Sequence, residues 1–598
     1  MGDSCDVSLT PNDGDIPGSV PVLIIGGGPV GLTQALLLSR LDIRSLIIER
    51  YPGRLGAPKA HAINPRSLEI LRQYGLGEKR IRHLGTARAD GCWVNFVTSL
   101  SGEAVGKIPY ERMDVAVLED TPEMIHNLSQ PALEEELTRL IENDPNITLK
   151  KGYSIHAVLQ GENEVIATVK ETRGENIREI TARHMIACDG QKSRVRELLE
   201  IPSEGEDSDQ TMMTIHFNAN LRPVVGDRVG MLYWIMDPIA AGFIIGYDLS
   251  GTQVHISEVD TSQYPLESWT EEMCREKVLA AIGQDVPFDI LSFRPWIFRR
   301  QIARTFQKGN IFLAGDAAHS FPPTGGLGLN CGIADVHNLA YKIAMVHHKV
   351  ASASILSTYT SERRSIADNY SRQSVKNGEQ IFTLVKSLNM AGVQDVTEAR
   401  KNIREALRDS QQREQVARGI EGQREHFDNL ELHIGYMYGS DRPPAHASFY
   451  HPKFSAGARL PHVWISFADS TRSNTSTVRL EPIDISYVTE LSAAQISQCQ
   501  WSTLDLCSPE SFTLIIGEQE SPENTRFSAV EKHFDDRKIP INVWRLGENF
   551  DVVRQSWFAS EIYGGGLLIR PDQHIMIRIS GLTGSDEIIS VLDSHLGI

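Results

Sequence analysis

The 598-residue chain has no apolar run approaching the roughly 20 residues that cross a bilayer, so no membrane span is expected. Its first 18 residues are polar and acidic, without the basic start and apolar centre of a secretion signal. Asp6 stands where a myristoylated Gly2 requires Ser or Thr. Positive charge is in short supply: 59 Lys and Arg against 77 Asp and Glu leave a net −18, a surface that repels nucleic acid and anionic lipid. Cysteine is sparse too. Cys5, Cys92, Cys188, Cys274, Cys331, Cys499 and Cys507 form no CxxC pair, which excludes dithiol exchange and structural zinc. A cytoplasmic protein without a metal site is expected. Internal repeats and low-complexity tracts are absent.

What is present reads as a multidomain α/β protein. A length of 598 residues exceeds one compact core, and 41% hydrophobic with 23% charged residues is ordinary globular composition. Residues 21–25 form a short apolar run that reads as a buried parallel strand, 30–41 as the following helix and 45–48 as a second strand ending at Glu49. Four β-rich runs at 214–221, 229–236, 242–249 and 252–259, split by Pro, Asp and Gly, predict an inserted antiparallel sheet. Residues 310–314 read as another buried strand and 332–350 as a helix behind it. The charged stretch 397–429 reads as solvent-facing helices. Beyond Arg442-Pro443-Pro444, strands are expected at 512–516, 541–546, 566–570 and 575–579, with a closing helix near 586–596.

Three motifs carry the chemistry. Gly26-Gly27-Gly28-Pro29-Val30-Gly31 lies between the first strand and helix, where backbone N–H groups and the helix dipole accept a pyrophosphate. Glu49 follows at about the 20-residue distance at which a carboxylate meets ribose hydroxyls. Cys188-Asp189-Gly190 ends a further apolar run and continues into Ser193 and Arg196. Gly315-Asp316-Ala317-Ala318-His319 runs on to Gly328-Leu329-Asn330, with Asp316 at a strand's carboxyl end, where α/β folds place ligands.

In this order the three motifs resemble the single-component FAD-dependent aromatic monooxygenases, most closely the phenol hydroxylase and chlorophenol monooxygenase branch. Smaller matches agree: Arg66-Ser67-Leu68-Glu69, Gln130 with Glu134 and Leu137, and an LxxYxxER pattern from Leu356 to Arg363. The resemblance implies a Rossmann-like FAD domain (18–200 and 296–375), an inserted β-sheet substrate domain (201–295), a helical linker (376–444) and a thioredoxin-like C-terminal domain (445–598). The last is suggested by Gly457-Ala458-Arg459-Leu460-Pro461-His462, Ser502-Thr503-Leu504-Asp505-Leu506 and Leu568-Ile569-Arg570-Pro571-Asp572. It further implies FAD held by Gly26, Gly28, Gly31, Glu49, Arg50, Arg66, Gln130, Asp189, Asp316, Gly328, Leu329 and Asn330. NADPH or NADH would be the reductant, and a flavin C4a-hydroperoxide would deliver oxygen from O2 to a phenolic or other electron-rich ring. A homodimer fits the pattern.

Absences narrow the field again. There is no second GxGxxG, so the reductant binds transiently across the FAD domain. There is no cysteine pair of a flavin disulfide reductase, and no WxWxIP of a flavin halogenase. By the resemblance, the substrate walls come from 214–259, from Arg294-Pro295-Trp296 and from the loop before Arg66. His61 stands where the phenol hydroxylase branch carries an acidic residue. It is either the acceptor of the phenol proton or a loop histidine bonded to backbone. Tyr233 and Trp234 are strand neighbours, so one of them faces the pocket, and Tyr233 is the residue expected there. The Pro323 carbonyl is expected near the substrate hydroxyl, Trp296 in the pocket or the core, and His319 in a structural role. Baeyer–Villiger insertion, epoxidation and a non-catalytic flavin-binding protein remain alternatives.

Overall fold

Residues 21–25 lie at the centre of a parallel sheet in the computed structural model. The model describes residues 16–598 except 54–55, 262–264, 387, 389–392, 394, 469–480 and 518–525; Gly2, Cys5 and Asp6 lie outside. The strand Ser19–Ile25 pairs in parallel with Ser45–Glu49 on one side and Ile177–Ala187 on the other. Ile147–Lys151 and Ile311–Leu313 extend the sheet in the same direction. The helix Pro29–Arg40 covers one face and the 21-residue helix Leu327–His347 packs beside it. A strand covered on both faces must be apolar along its length, which is why Val22 to Ile25 are buried. A crevice opens at the carboxyl ends of Ser19–Ile25 and Ile177–Ala187, where the connections leave in opposite directions. There the backbones touch. Gly26 has φ +109, and a Cβ on it would fall inside the Cys188 carbonyl.

The second sheet is larger than the expected insert at 201–295. It runs in the order His319–Ser320, Phe288–Ala303, Ser203–Ala219, Thr252–Val259, Gly242–Ile245, Leu232–Ile235, Trp93–Val97, Ala104–Pro109. It is also mixed rather than purely antiparallel, because Leu232–Ile235 pairs in parallel with Trp93–Val97. The two recruited strands cover what would otherwise be an exposed edge.

The charged stretch near 397–429 departs from the solvent-facing expectation. Val396–Arg408 and Ser410–Glu421 bury the stripes Ala399, Ile403, Ala406 and Val416, Ile420, and Ile420 packs on Gly106 of the second sheet. These are roofing helices with one wet face.

In the C-terminal unit, Phe512–Ile516 pairs in parallel with Ile541–Arg545 and antiparallel with Gly566–Ile569, which pairs with Ile575–Ile579. The helices Arg526–Arg537, Trp557–Ile562 and Ser585–Leu596 complete a β–α–β–α–β–β–α order over this sheet. This unit is fastened to the helix Pro65–Gln73 by buried charge. Both Glu69 oxygens accept from Arg459, at 2.6 and 2.9 Å, and Oε2 also accepts from Arg66 at 3.1 Å. Burial raises the Glu69 pKa, but Arg459 and then Arg66 outweigh it and hold the carboxyl below its usual range. The same helix reaches Asp505 through Arg72 at 2.9 Å and the Pro571 carbonyl through Gln73 at 2.8 Å.

Removing one partner of such a pair leaves buried charge uncompensated, at a cost of about 3–5 kcal/mol. Glu69→Leu should therefore lower the denaturant midpoint and expose the C-terminal unit to limited proteolysis. Because the folded pKa is depressed, the Glu69 contribution is present above the unfolded value near 4.5 and lost as pH falls through the folded one. The stability difference between wild type and variant should accordingly shrink in acid.

Candidate functional site

One cavity of about 1660 Å3 runs from the crevice at the glycine turn to the face of the second sheet. At its first end Glu49 Oε2 accepts from Gly27 N–H at 2.7 Å and Oε1 from Tyr51 N–H at 2.7 Å, which fixes the carboxylate beside the turn. Gly28 caps Pro29–Arg40 with extended backbone, and a Cβ there would point into open space. Gly31 serves packing instead, since a Cβ on it would fall inside the Gly26 carbonyl. Arg50 and Gln130 line the same stretch, Gln130 donating to Glu134 at 2.7 Å.

Further along, Asp189 accepts through Oδ2 from the N–H groups of Arg194 and Val195, at 2.7 and 3.2 Å. Its Oδ1 is buried without a hydrogen-bond partner, and burial raises the carboxyl pKa. Asp316 lies on the cavity wall, where the enclosing protein raises its pKa against Lys59 and His319. The helix Leu327–His347 starts two residues before Leu329 and has no side-chain cap, so its first N–H groups, at Leu327, Gly328 and Leu329, meet the cavity unsatisfied. Space at Gly28, an unpartnered oxygen on Asp189 and an uncapped positive helix end fit a long anionic dinucleotide with a flat ring at its far end.

The second end is apolar and aromatic, walled by Leu232, Trp234, Phe243, Tyr247, Trp296 and Phe427. The segments expected as walls supply most of these. Trp296 lines the cavity and donates from Nε1 to Thr214 Oγ1 at 2.9 Å. His61 faces Tyr110 and Tyr247, with ring centroids 6.3 and 5.7 Å away. Its Nδ1 lies 3.0 Å from Asn127 Oδ1, which can only accept, so Nδ1 carries the hydrogen and the Nε2 lone pair is free. Burial, partly opposed by that bond, lowers the His61 pKa to about 4.

Three expectations are corrected. Tyr233 points away from the cavity: it is 1% exposed, its hydroxyl accepts from Gly230 N–H at 3.0 Å, and its ring packs behind the sheet, while Trp234 on the opposite face lines the site. Arg66 does not reach the cavity. It bonds Glu69, Gln573 Oε1 at 2.6 Å and the Asp572 carbonyl at 2.9 Å, joining two parts of the chain. Asn330 is buried beneath the helix start, its Oδ1 accepting from Asn64 N–H and Ser67 Oγ and its Nδ2 donating to the Ala62 and Gly326 carbonyls. It staples the His61 loop to the helix Leu327–His347. Pro323 lines the cavity, and its carbonyl already accepts from Gly326 N–H at 3.0 Å.

His319 pairs with Asp335 at 2.6 Å, and Asp335 also accepts from Arg363 at 2.8 Å. The ligand atoms of His319, Cys331 and Asp335 lie within 4.8 Å of one another. That carboxylate is fully engaged by these partners and by Gly315 N–H, which makes the group a brace for the loop. Arg196 donates to the Ala317 and Gln191 carbonyls and ties two of the glycine motifs together.

Tyr110, Glu111, Tyr247, His426 and Phe427 line the site without having been anticipated. Tyr247 was legible, sharing the parity of Phe243 and Ile245 on a predicted strand. The other four carry no local signal, since they reach the site through the recruited strand Ala104–Pro109 and the roof.

This geometry is that of a flavoprotein with a closed aromatic substrate chamber. Residues 19–374 match the family model described as FAD binding domain. The chain is similar to a 2,4-dichlorophenol 6-monooxygenase of Cupriavidus pinatubonensis, 28% identical over 96% of both chains. It is similar to a putative polyketide hydroxylase of Streptomyces coelicolor, 33% identical over 59% of this chain and 57% of that one. Among solved structures it resembles the rebeccamycin biosynthetic enzyme RebC with reduced flavin, at TM-score 0.76 and 26% identity over 97% and 100% of the two chains. The flavin-dependent monooxygenase PieE shares the fold at TM-score 0.83, with 24% identity over 98% and 99%. The chain belongs to the FAD-binding-domain family, as a single-component FAD-dependent aromatic monooxygenase of the phenol hydroxylase branch that uses NAD(P)H.

Gly28→Val should fold normally yet purify colourless, because a Cβ there meets no protein atom within 4 Å and the side chain enters the groove. Absorbance of the flavin band and a melting curve read the two effects separately. Tyr233→Phe should cost about 1 kcal/mol of stability and leave turnover within about twofold, whereas Trp234→Ala should raise KM at least about tenfold through lost aromatic contact.

Proposed function

We propose that the enzyme hydroxylates a phenolic aromatic of more than one ring. The observation that carries this is the continuity of the dinucleotide groove with the aromatic chamber in one cavity of about 1660 Å3. Sites for single drug-sized ligands run about 300–1,000 Å3. Room therefore remains beyond a bound FAD for a substrate larger than one ring. FAD would be held by Gly28, Glu49, Arg50, Gln130, Asp189, Asp316 and the N–H groups at Gly328 and Leu329. When bound and reduced by NAD(P)H, it supplies transfer of one oxygen atom from O2 to the ring.

The protein orients the ring between Trp234, Trp296 and Phe243 and excludes water from it. His61 offers Nε2 to the phenol hydroxyl. With an imidazole at about 4 and a phenol near 10, full proton transfer would cost about 8 kcal/mol, so His61 acts as a hydrogen-bond acceptor that raises the ring's electron density. We read the C-terminal β–α–β–α–β–β–α unit as thioredoxin-like and structural, a surface through which two copies pair, and the protein as cytoplasmic. No described helix is long and apolar enough to cross a membrane.

The test is a screen of phenols and hydroxylated polycyclic aromatics for accelerated bleaching of the flavin band by NADPH without oxygen, followed by NMR of the aerobic product. A ring C–OH from a polycyclic phenol is expected. Acceleration by monocyclic phenols alone, or by no phenol, would refute the reading. His61→Ala should lower kcat on the order of 10²-fold. Since the working imidazole is the neutral form, its contribution should hold through neutral pH and fade only as pH drops toward about 4.

A further inference from the structure

One carboxyl in the substrate chamber has no task in the chemistry above. Glu111 lies two residues beyond the strand Ala104–Pro109, lines the cavity beside Tyr110 and is 6% exposed. Its φ is +51 and that of Arg112 is +53, left-handed conformations that cost non-glycine residues energy. The Glu111 N–H is held by the Phe427 carbonyl at 2.5 Å. Strain of this kind persists where surrounding contacts dictate a side chain's direction.

That direction is toward the loop at Gly325. Asn429 Nδ2 donates to Glu111 Oε1 at 3.4 Å, and the same amide stands 3.6 Å from where a Cβ on Gly325 would lie. His433 Nε2 is 4.0 Å from Oε2, beyond hydrogen-bond reach, and burial lowers that imidazole to about 3, so it is uncharged. Burial and the like-signed Asp428 hold the Glu111 carboxyl well above the usual range, against bonds from Asn429, and Tyr110 beside it is uncharged too. Asn429 engages the carboxyl only as an acceptor. The proton that the carboxyl carries finds no acceptor in these contacts, and the open direction is the cavity.

We propose that Glu111 is a specificity-determining residue: its carboxyl donates a hydrogen bond to a carbonyl oxygen of the bound aromatic. A carboxyl that already accepts at Oε1 and has its proton to give favours a group that only accepts, hence a ring carbonyl over a second hydroxyl. This rests on the cavity being the substrate site, and it narrows the substrate class to phenols fused to a quinone or ketone ring.

The experiment uses the holoenzyme and two probes, 1-hydroxyanthraquinone and 1-hydroxyanthracene, each titrated against the visible flavin spectrum. Wild type should bind the quinone at least about tenfold more tightly, the scale of one buried hydrogen bond to a strong acceptor. Glu111→Leu should abolish that preference by weakening the quinone alone, leaving 1-hydroxyanthracene within about twofold. Glu111→Gln, which keeps a donor, should retain most of it. If Glu111→Leu does not retain FAD, Glu111→Asp, with its carboxyl drawn back by one methylene, should give the same loss. Equal weakening of both probes, an unchanged preference, or a wild type that binds neither probe while retaining FAD would overturn the inference. Failure of every phenol to accelerate flavin reduction would instead strike the assignment of the cavity itself.

Discussion

A fully buried carboxylate between two guanidiniums holds this molecule in register. Glu69 could not stay charged in the interior alone; the two-point grip of Arg459, with Arg66 and the Thr121 hydroxyl, makes its ionised form the stable one. The helix that carries it, Pro65–Gln73, is buried along its whole length and bonds the C-terminal unit through Arg66, Arg72 and Gln73 as well. That helix begins at Asn64, whose side chain caps Ser67 and whose N–H is bonded by Asn330. His61 lies three residues upstream. The C-terminal unit, none of whose described residues lines the cavity, thus fixes the loop that presents His61 to the chamber.

The cavity divides by charge. Its groove end gathers Arg50, Lys59 and Lys192 with Glu49, Asp189 and Asp316, a setting for phosphates and ribose hydroxyls. Its chamber end holds titratable groups driven to their neutral forms. Burial lowers His61 to about 4 and His426 to about 3, and raises Tyr110, Tyr247 and Glu111. These side chains offer hydrogen bonds while uncharged. It favours a flat, weakly polar ring over water, which suits oxygen transfer that hydrolysis would short-circuit.

What could be read along the chain follows from how local each constraint is. The turn at Gly26 to Gly31 declares itself because close backbone approach needs glycine at fixed spacing, and the strands at 21–25, 45–48 and 512–516 because burial on both faces forces an apolar run. Arg66 shows the limit of a motif. The motif Arg66-Ser67-Leu68-Glu69 has charged residues that face the C-terminal unit, and Arg459, Asp505, Arg570 and Asp572 in the motifs of that unit face back toward Glu69, Arg72, Glu362 and Asn338. Those residues are docking contacts, a role that spacing within either segment cannot reveal. Tyr233 and Trp234 show another limit. Alternation along a strand guarantees that one faces the cavity but not which, because that choice depends on what covers each face of the sheet.

By itself the sequence determined the dinucleotide turn, the acid that follows it, the strands at 21–25, 45–48 and 310–314 and the aromatic monooxygenase class, since each rests on contacts between residues near one another or on spacings kept over the whole chain. Tertiary structure alone decided the chamber. The pairing of Leu232–Ile235 with Trp93–Val97 brings Tyr110 and Glu111 to the site, and the roof brings His426 and Phe427. The depth of burial, set by all of these together, determines which side chains there carry charge. No window of sequence contains that depth, because dielectric surroundings belong to the packed whole rather than to any residue within it.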